Sequence, residues 1–148
     1  MTSTALPCYN PPMHNTPWEE LTACAKEALS HAYAPYSKLQ VGAAVWTGKR
    51  IFSGCNVENA SFGLSLCAER NALACAVAHA ERPKALLLLA DTPLPIVPCG
   101  ACRQVLLELG APQLPILCLT LSGQQAFFRL SQLLPFPFDE GFLKPTLP

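Results

Sequence analysis

The chain has 148 residues, of which 51% are hydrophobic and 14% charged, and its ten basic and ten acidic residues cancel. That length holds one domain with a real core, and the balanced charge offers no field for a polynucleotide or an anionic membrane. A charged fraction below the roughly 25% usual for soluble domains leaves apolar surface to cover, which points to association with further copies of the chain.

No apolar run approaches the ~20 residues that span a bilayer. The start, "MTSTALPCYNPPMHNTP", has neither the positive region nor the apolar stretch of a signal peptide. The expectation is a cytoplasmic protein, in which the eight cysteines read as thiols or metal ligands rather than disulfides. Residues 1–15, rich in Pro, Thr and Asn, read as a poorly ordered extension, 16–140 as a single domain and 141–148 as a tail.

Thr16-Pro17-Trp18-Glu19 has the form of a capping box with Pro17 at the first helical position. Trp18, Leu21, Ala25, Leu29 and Ala32 recur at helical spacing, so a helix is expected to run to near Ala34, closed by Pro35. "LQVGAAVW" and "RIFSGCN" read as strands joined by a turn at Gly48, and "SLCAERNALACAVAHA" as a buried helix. "KALLLLA" is apolar without alternation, the mark of a strand covered on both faces. A Pro-rich loop, "DTPLPIVP", leads to a helix in "CGACRQVLLEL" that Gly110 can end at C′. "LPILCLT" and "QQAFFRL" read as further strands, and "SQLL" as a short helix before "PFPF". The alternation predicts an α/β sandwich with helices on both faces of one sheet.

Cys99 and Cys102, three residues apart, share one face of a helical first turn, and Cys67 takes the same place on another helix. Two such helix starts meeting would gather three thiolates around one ion with a fourth position open, the form of a catalytic zinc site. A structural Cys₄ zinc site and a redox Cys-x-x-Cys remain alternatives, with Cys55 as the competing ligand. Cys75 is eight residues along the helix from Cys67, about 12 Å away, beyond the reach of ~2.3 Å zinc–sulfur bonds. Cys8, Cys24 and Cys118 read as free core or tail thiols. Glu69 lies two residues after Cys67 in a segment with little polar face, where a carboxylate can take a proton from water at a metal. Zinc with three thiolates carries −1, unfavourable for making hydroxide. Two helix N-termini supply only about 0.3–1 kcal/mol each, so the adjacent Arg70 would help offset that charge. His14, His31 and His79 receive no functional role, and Trp18 and Trp46 read as core or interface residues.

With "LCAERNAL" and "DTPLPIVPCGACRQVL" in view, and "APYSKLQVGAAV", "GCNVENASFG" and "LLPFPF" in the same order, the sequence resembles the homotetrameric class of cytidine deaminases from Ala34 to Phe138. The resemblance implies a three-layer α/β/α sandwich on a mixed five-stranded sheet and one Zn²⁺ per subunit on Cys67, Cys99 and Cys102. It implies Glu69 as the proton shuttle, from the attacking water to ring N3 of cytosine and then to the leaving ammonia. Arg70 matches the arginine that offsets thiolate charge. The backbone around Ala68 and Pro98 would hold the base edge, and Asn56 and Glu58 the ribose hydroxyls. Phe138 corresponds to an aromatic that reaches a neighbouring subunit's pocket. Leu39 departs from the family: many members carry there a phenylalanine that lines the nucleoside pocket, so Leu39 loses ring packing worth about 0.5–1.5 kcal/mol.

The function so implied is deamination of cytidine and deoxycytidine in pyrimidine salvage, with a small-molecule nucleoside as partner and neither nucleic acid nor membrane. A deaminase of nucleoside antibiotics or modified cytosine nucleosides shares the cysteines, but "NVEN" favours a ribose. Nucleotide and polynucleotide deaminases usually have His as the first ligand, where this chain has Cys67. A zinc scaffold without catalysis would not need Glu69, nor would a thiol-redox protein.

Overall fold

The computed structural model describes residues 15–143. The expected extension, apart from Asn15, lies outside these residues with Cys8 and His14, as does the tail from Lys144 on. The elements follow as α1 (Trp18–Ser30), β1 (Val41–Trp46), β2 (Ile51–Cys55), α2 (Ala68–Ala78), β3 (Ala85–Ala90), α3 (Gly100–Leu109), β4 (Pro115–Thr120), β5 (Gln125–Arg129) and α4 (Leu130–Leu133). The strands form one mixed sheet in the order β2-β1-β3-β4-β5. Only β3 and β4 run parallel, and α3 makes the crossover that parallel neighbours require.

The sheet divides the core by the period-2 alternation of strand side chains. Leu87 and Leu89 of β3 join Ala44, Leu117 and Phe127 under α1, which contributes Leu21, Ala25 and Leu29. Leu86 and Leu88 turn to the opposite face, against Ala72 and Leu73 of α2, Leu106 of α3 and Leu130 of α4. All six residues of β3 are buried, as a strand covered on both faces must be. The three-layer sandwich expected from the alternation of elements is the fold observed.

The ends of elements correct three expectations. α1 starts at Trp18 with Pro17 as its N-cap and no side-chain cap. Thr16 therefore lies one position too early to close a capping box, and its carbonyl instead takes Trp18 N–H at 2.9 Å. α1 also stops at Ser30 rather than near Ala34, because Tyr33 pairs with the 56–58 segment: its N–H donates to Asn56 O (3.0 Å) and its carbonyl accepts from Glu58 N–H (2.8 Å). Gly110 does end α3, but at φ −117° and not in the left-handed region. A Cβ there would lie 2.9 Å from the backbone oxygen of Leu106, so close packing and not helix reversal calls for glycine. His31 and His79 are the C-cap residues of α1 and α2. Trp18 packs edge-on against Phe127, with centroids 6.1 Å apart.

Gly54 of β2 lets α2 sit close to the sheet: a Cβ would lie 2.6 Å from Ala72 N and 2.8 Å from Ala68 O. This contact fixes the start of α2, where the chemistry of the chain begins.

Candidate active site

Two helices on the same face of the sheet each start at a cysteine. Cys67 is the N-cap of α2 and Cys99 the N-cap of α3, both in extended backbone conformation, and Cys102 lies in the first turn of α3. Their carbonyls open the helical ladders, Cys67 O accepting from Asn71 N–H (3.1 Å) and Cys99 O from Arg103 N–H (3.0 Å). Neither thiol is used as a helix cap, so both are free to face each other.

The sulfur of Cys99 is 3.8 Å from that of Cys67 and 3.5 Å from that of Cys102, and all three lie within 4.8 Å of one another. Tetrahedral bonds of ~2.3 Å from zinc place sulfurs about 3.8 Å apart. The donor set therefore fits zinc in chemistry and in spacing. Cys102 is fully buried and Cys99 exposed, so the cluster is anchored in the core and open on one side. Cys55 is not part of this group, and Cys75 is exposed on the outer side of α2. Cys118 is buried in β4, and burial pushes its thiol up to about 12, which keeps it protonated.

Hydrogen bonds from Cys102, Arg70 and Cys99 hold the Cys67 thiol well below its ordinary range, while the hydrogen bond to Cys67, and then burial, hold Cys102 above it. One guanidinium nitrogen of Arg70, Nη2, lies 3.4 Å from Cys67 Sγ and 3.4 Å from Ser65 O, placing a cation on the thiolate side of the cluster. Its charged form is stabilised first by the hydrogen bond to Cys67.

Glu69, in the first turn of α2, is only 4% exposed. Burial raises its carboxyl to about 7, with a further upward push from the Cys67 thiolate. At neutral pH such a group can both accept and release a proton. It faces a cavity of about 230 Å³, lined also by Leu39, Asn56, Glu58 and Ala68 together with Cys67 and Cys99. The cavity thus combines apolar and polar walls, with Glu69 and two of the three cysteines, Cys67 and Cys99, in its lining.

The polar side is held in place by the backbone. Asn56 Oδ1 accepts from Val41 N–H (2.8 Å) and Asn56 Nδ2 donates to Leu39 O (2.8 Å). Glu58 Oε2 accepts from the N–H groups of Tyr36 (2.9 Å) and Ser37 (3.2 Å), and its other oxygen accepts from the Ser37 hydroxyl. These donors, the Ser37 hydroxyl first, hold the Glu58 carboxyl below its ordinary value. A second cavity of about 360 Å³ shares Ser37, Asn56, Glu58 and Cys67 with the first, and the edge-on pair Tyr36–Phe62 is part of its lining.

Phe138 is exposed and is not a wall of this chain's own cavity. Its carbonyl accepts from Gln104 Nε2 at 2.8 Å. The Pro98 carbonyl accepts from Arg103 Nε at 2.7 Å. Sequence reasoning missed Arg103 and Ser37. Arg103 directly follows Cys102 in "CGACRQV", yet that position shows nothing of the carbonyls to which the side chain returns.

Among known proteins, residues 16–118 match the cytidine and deoxycytidylate deaminase zinc-binding region. A protein of Sporosarcina psychrophila named cytidine deaminase is 42% identical over 124 residues, 82% of this chain and 91% of that one. The crystal structure of cytidine deaminase from Burkholderia pseudomallei superposes with a TM-score of 0.77 at 47% identity, covering 81% of this chain and 98% of that chain. For cytidine deaminase from Mycobacterium tuberculosis the TM-score is 0.72 at 39% identity, over 84% of this chain and 98% of that chain. The family match runs from α1 through the thiolate cluster into β4, and on it the chain belongs to the zinc-binding family of cytidine and deoxycytidylate deaminases.

Proposed function

We propose that this protein catalyses the zinc-dependent hydrolytic deamination of cytidine and deoxycytidine, giving uridine or deoxyuridine and ammonia, as a step of pyrimidine salvage. The observation that carries this reading is a buried carboxyl, Glu69, beside three thiols spaced for one zinc ion, in the lining of a cavity large enough for a pyrimidine ring.

Cys67, Cys99 and Cys102 hold the metal, and Arg70 offsets part of their charge. Zinc, when bound, supplies Lewis acidity at the position its three protein ligands leave open. Glu69 accepts a proton from the attacking water and delivers it to ring N3. The water oxygen bonds to C4, and as the C4–N bond breaks Glu69 moves that water's second proton from the new C4 hydroxyl to the departing amine, which leaves as ammonia, so one water is consumed for each ammonia formed. Leu39 packs against the nucleoside, the Ala68 backbone meets the base edge, and Asn56 and Glu58 meet the ribose hydroxyls. The hydrogen bonds that already hold both side chains reduce the entropy lost when the sugar binds.

Residues 16–140 form the catalytic domain, and it works as a homotetramer in which Phe138 of one subunit covers the cavity of its neighbour. Exposed Phe136, Phe138 and Phe142 support this, since so much aromatic surface on one small subunit calls for a partner. Among the described residues no helix is long and apolar enough to cross a membrane. The reduced thiols the site needs favour the cytoplasm. The test is to mix zinc-loaded protein with cytidine and to quantify uridine and ammonia. Equal release of both is expected; zinc-loaded tetramer that releases neither overturns the reading.

A further inference from the structure

Arg103 follows the third cysteine of the cluster, and its side chain does not enter the cavity. It turns back along α3 instead. Its Nε donates to Pro98 O at 2.7 Å, and its Nη1 donates to Leu133 O, at the end of α4, at 2.8 Å. One guanidinium therefore joins the peptide just ahead of Cys99 to the last residue of a different helix.

The Pro98 carbonyl needs this partner. The ladder of α3 opens with Arg103 N–H on Cys99 O, so Pro98 O lies ahead of it, and the Pro98 ring is fully buried. A carbonyl in such surroundings left without a donor is costly. The bond also sets direction. In a planar trans peptide the carbonyl and the following N–H point in opposite directions. With Pro98 O turned towards Arg103, the Cys99 N–H points the other way. Val97 and Cys99 are walls of the cavity, whereas Pro98 is not.

We infer that Arg103 is a positioning residue: by bridging Pro98 O and Leu133 O it sets the orientation of the Pro98–Cys99 peptide, and with it the thiolate of Cys99 and the Val97–Cys99 wall of the cavity. Gln104 adds a second tie to the same C-terminal segment through Phe138 O, but leaves the Pro98 carbonyl untouched. A planar fork with separate nitrogens can serve two carbonyls at fixed separation, which the single ammonium of lysine cannot. The inference rests on zinc at the three thiolates and on deamination as the reaction.

The test compares wild type, Arg103→Lys and Arg103→Met with Glu81→Gln, a destabilising change on the far side of the molecule. Zinc-loaded proteins are read for the rate of zinc transfer to a chromogenic chelator, for kcat and KM on cytidine, and for melting temperature. Outer-shell partners of metal ligands are worth about 10–100-fold in affinity or activity. Arg103→Lys is expected to release zinc about tenfold faster and to lose about tenfold in kcat, with KM changed less than about twofold. Arg103→Met is expected to exceed it in both effects. Lysine carries the reading alone if the methionine variant does not fold. Wild-type zinc release and kcat in Arg103→Lys overturn the inference, as does an equal loss in a Glu81→Gln protein of matched melting temperature. A wild type that neither keeps zinc nor deaminates cytidine overturns the proposed function instead.

Discussion

Glu69 is a carboxyl in a chain segment of alanine, leucine and cysteine, almost fully buried, and its value lies in the proton it can exchange near neutrality. Glu69→Gln keeps the shape and removes that exchange. Zinc content and assembly should stay at wild-type levels while kcat on cytidine falls about 10²–10⁴-fold, the usual worth of a general acid–base group; unimpaired turnover would remove Glu69 from the mechanism. Cys99→Ala takes away one of the three proposed metal ligands, and zinc affinity in a chelator competition should drop by more than the roughly 10–100-fold that outer-shell partners alone contribute. Away from the site, the Glu81 carboxylate accepts from the Thr47 hydroxyl and from Arg50 Nε (2.7 Å), which hold its pKa below 4.5. A carboxyl depressed in the fold stabilises fully above its unfolded pKa and loses that contribution as pH falls through the folded one. The melting-temperature gap between wild type and Glu81→Gln should therefore be constant from about pH 5 to 7 and shrink progressively as pH falls below about 4.

At the scale of elements, α2 is the part whose placement matters most, because it carries Cys67 at its start and Glu69 in its first turn. Gly54→Ala pushes a methyl group into the backbone of α2. A loss of about 1–3 kcal/mol in denaturant unfolding is expected from such overpacking, together with weaker zinc retention, since the ligand moves with the helix. The strands and helices were legible because their apolar spacing is local. β3 reads as a doubly covered strand from its uninterrupted leucines, and the cysteines at 99 and 102 read as one cluster from helical spacing. What was not legible depends on distant partners. The early end of α1 is set by Tyr33 pairing with the 56–58 segment, and the bridge from Val57 to Leu66 that shapes the second cavity has no local periodicity. The engagement of Pro98 by Arg103 and of Asn56 by Leu39 and Val41 belongs to the same kind: the donor type is visible in the chain, but its acceptor is chosen by tertiary packing.

For the whole molecule, the family resemblance sets the expectation of four 15.9 kDa subunits, with the apolar composition and exposed C-terminal aromatics in support, and sedimentation equilibrium can check it. Phe138→Ala should keep zinc, raise KM for cytidine severalfold and shift the assembly towards smaller species on dilution; unchanged KM would leave the cavity complete within one subunit. The three sulfurs also have a mechanical consequence. Cys67 and Cys99 lie 32 positions apart, with β3 between them. An ion that joins them is a removable cross-link, closing a loop much as a covalent bridge would. For a loop of that length the entropy withdrawn from the unfolded chain corresponds to about 3–4 kcal/mol, a large share of the ~5–15 kcal/mol that holds a domain folded. Metal supply would thus govern the lifetime of the polypeptide as well as its turnover: chains made in zinc-starved cells would open more often and be cleared by proteases sooner.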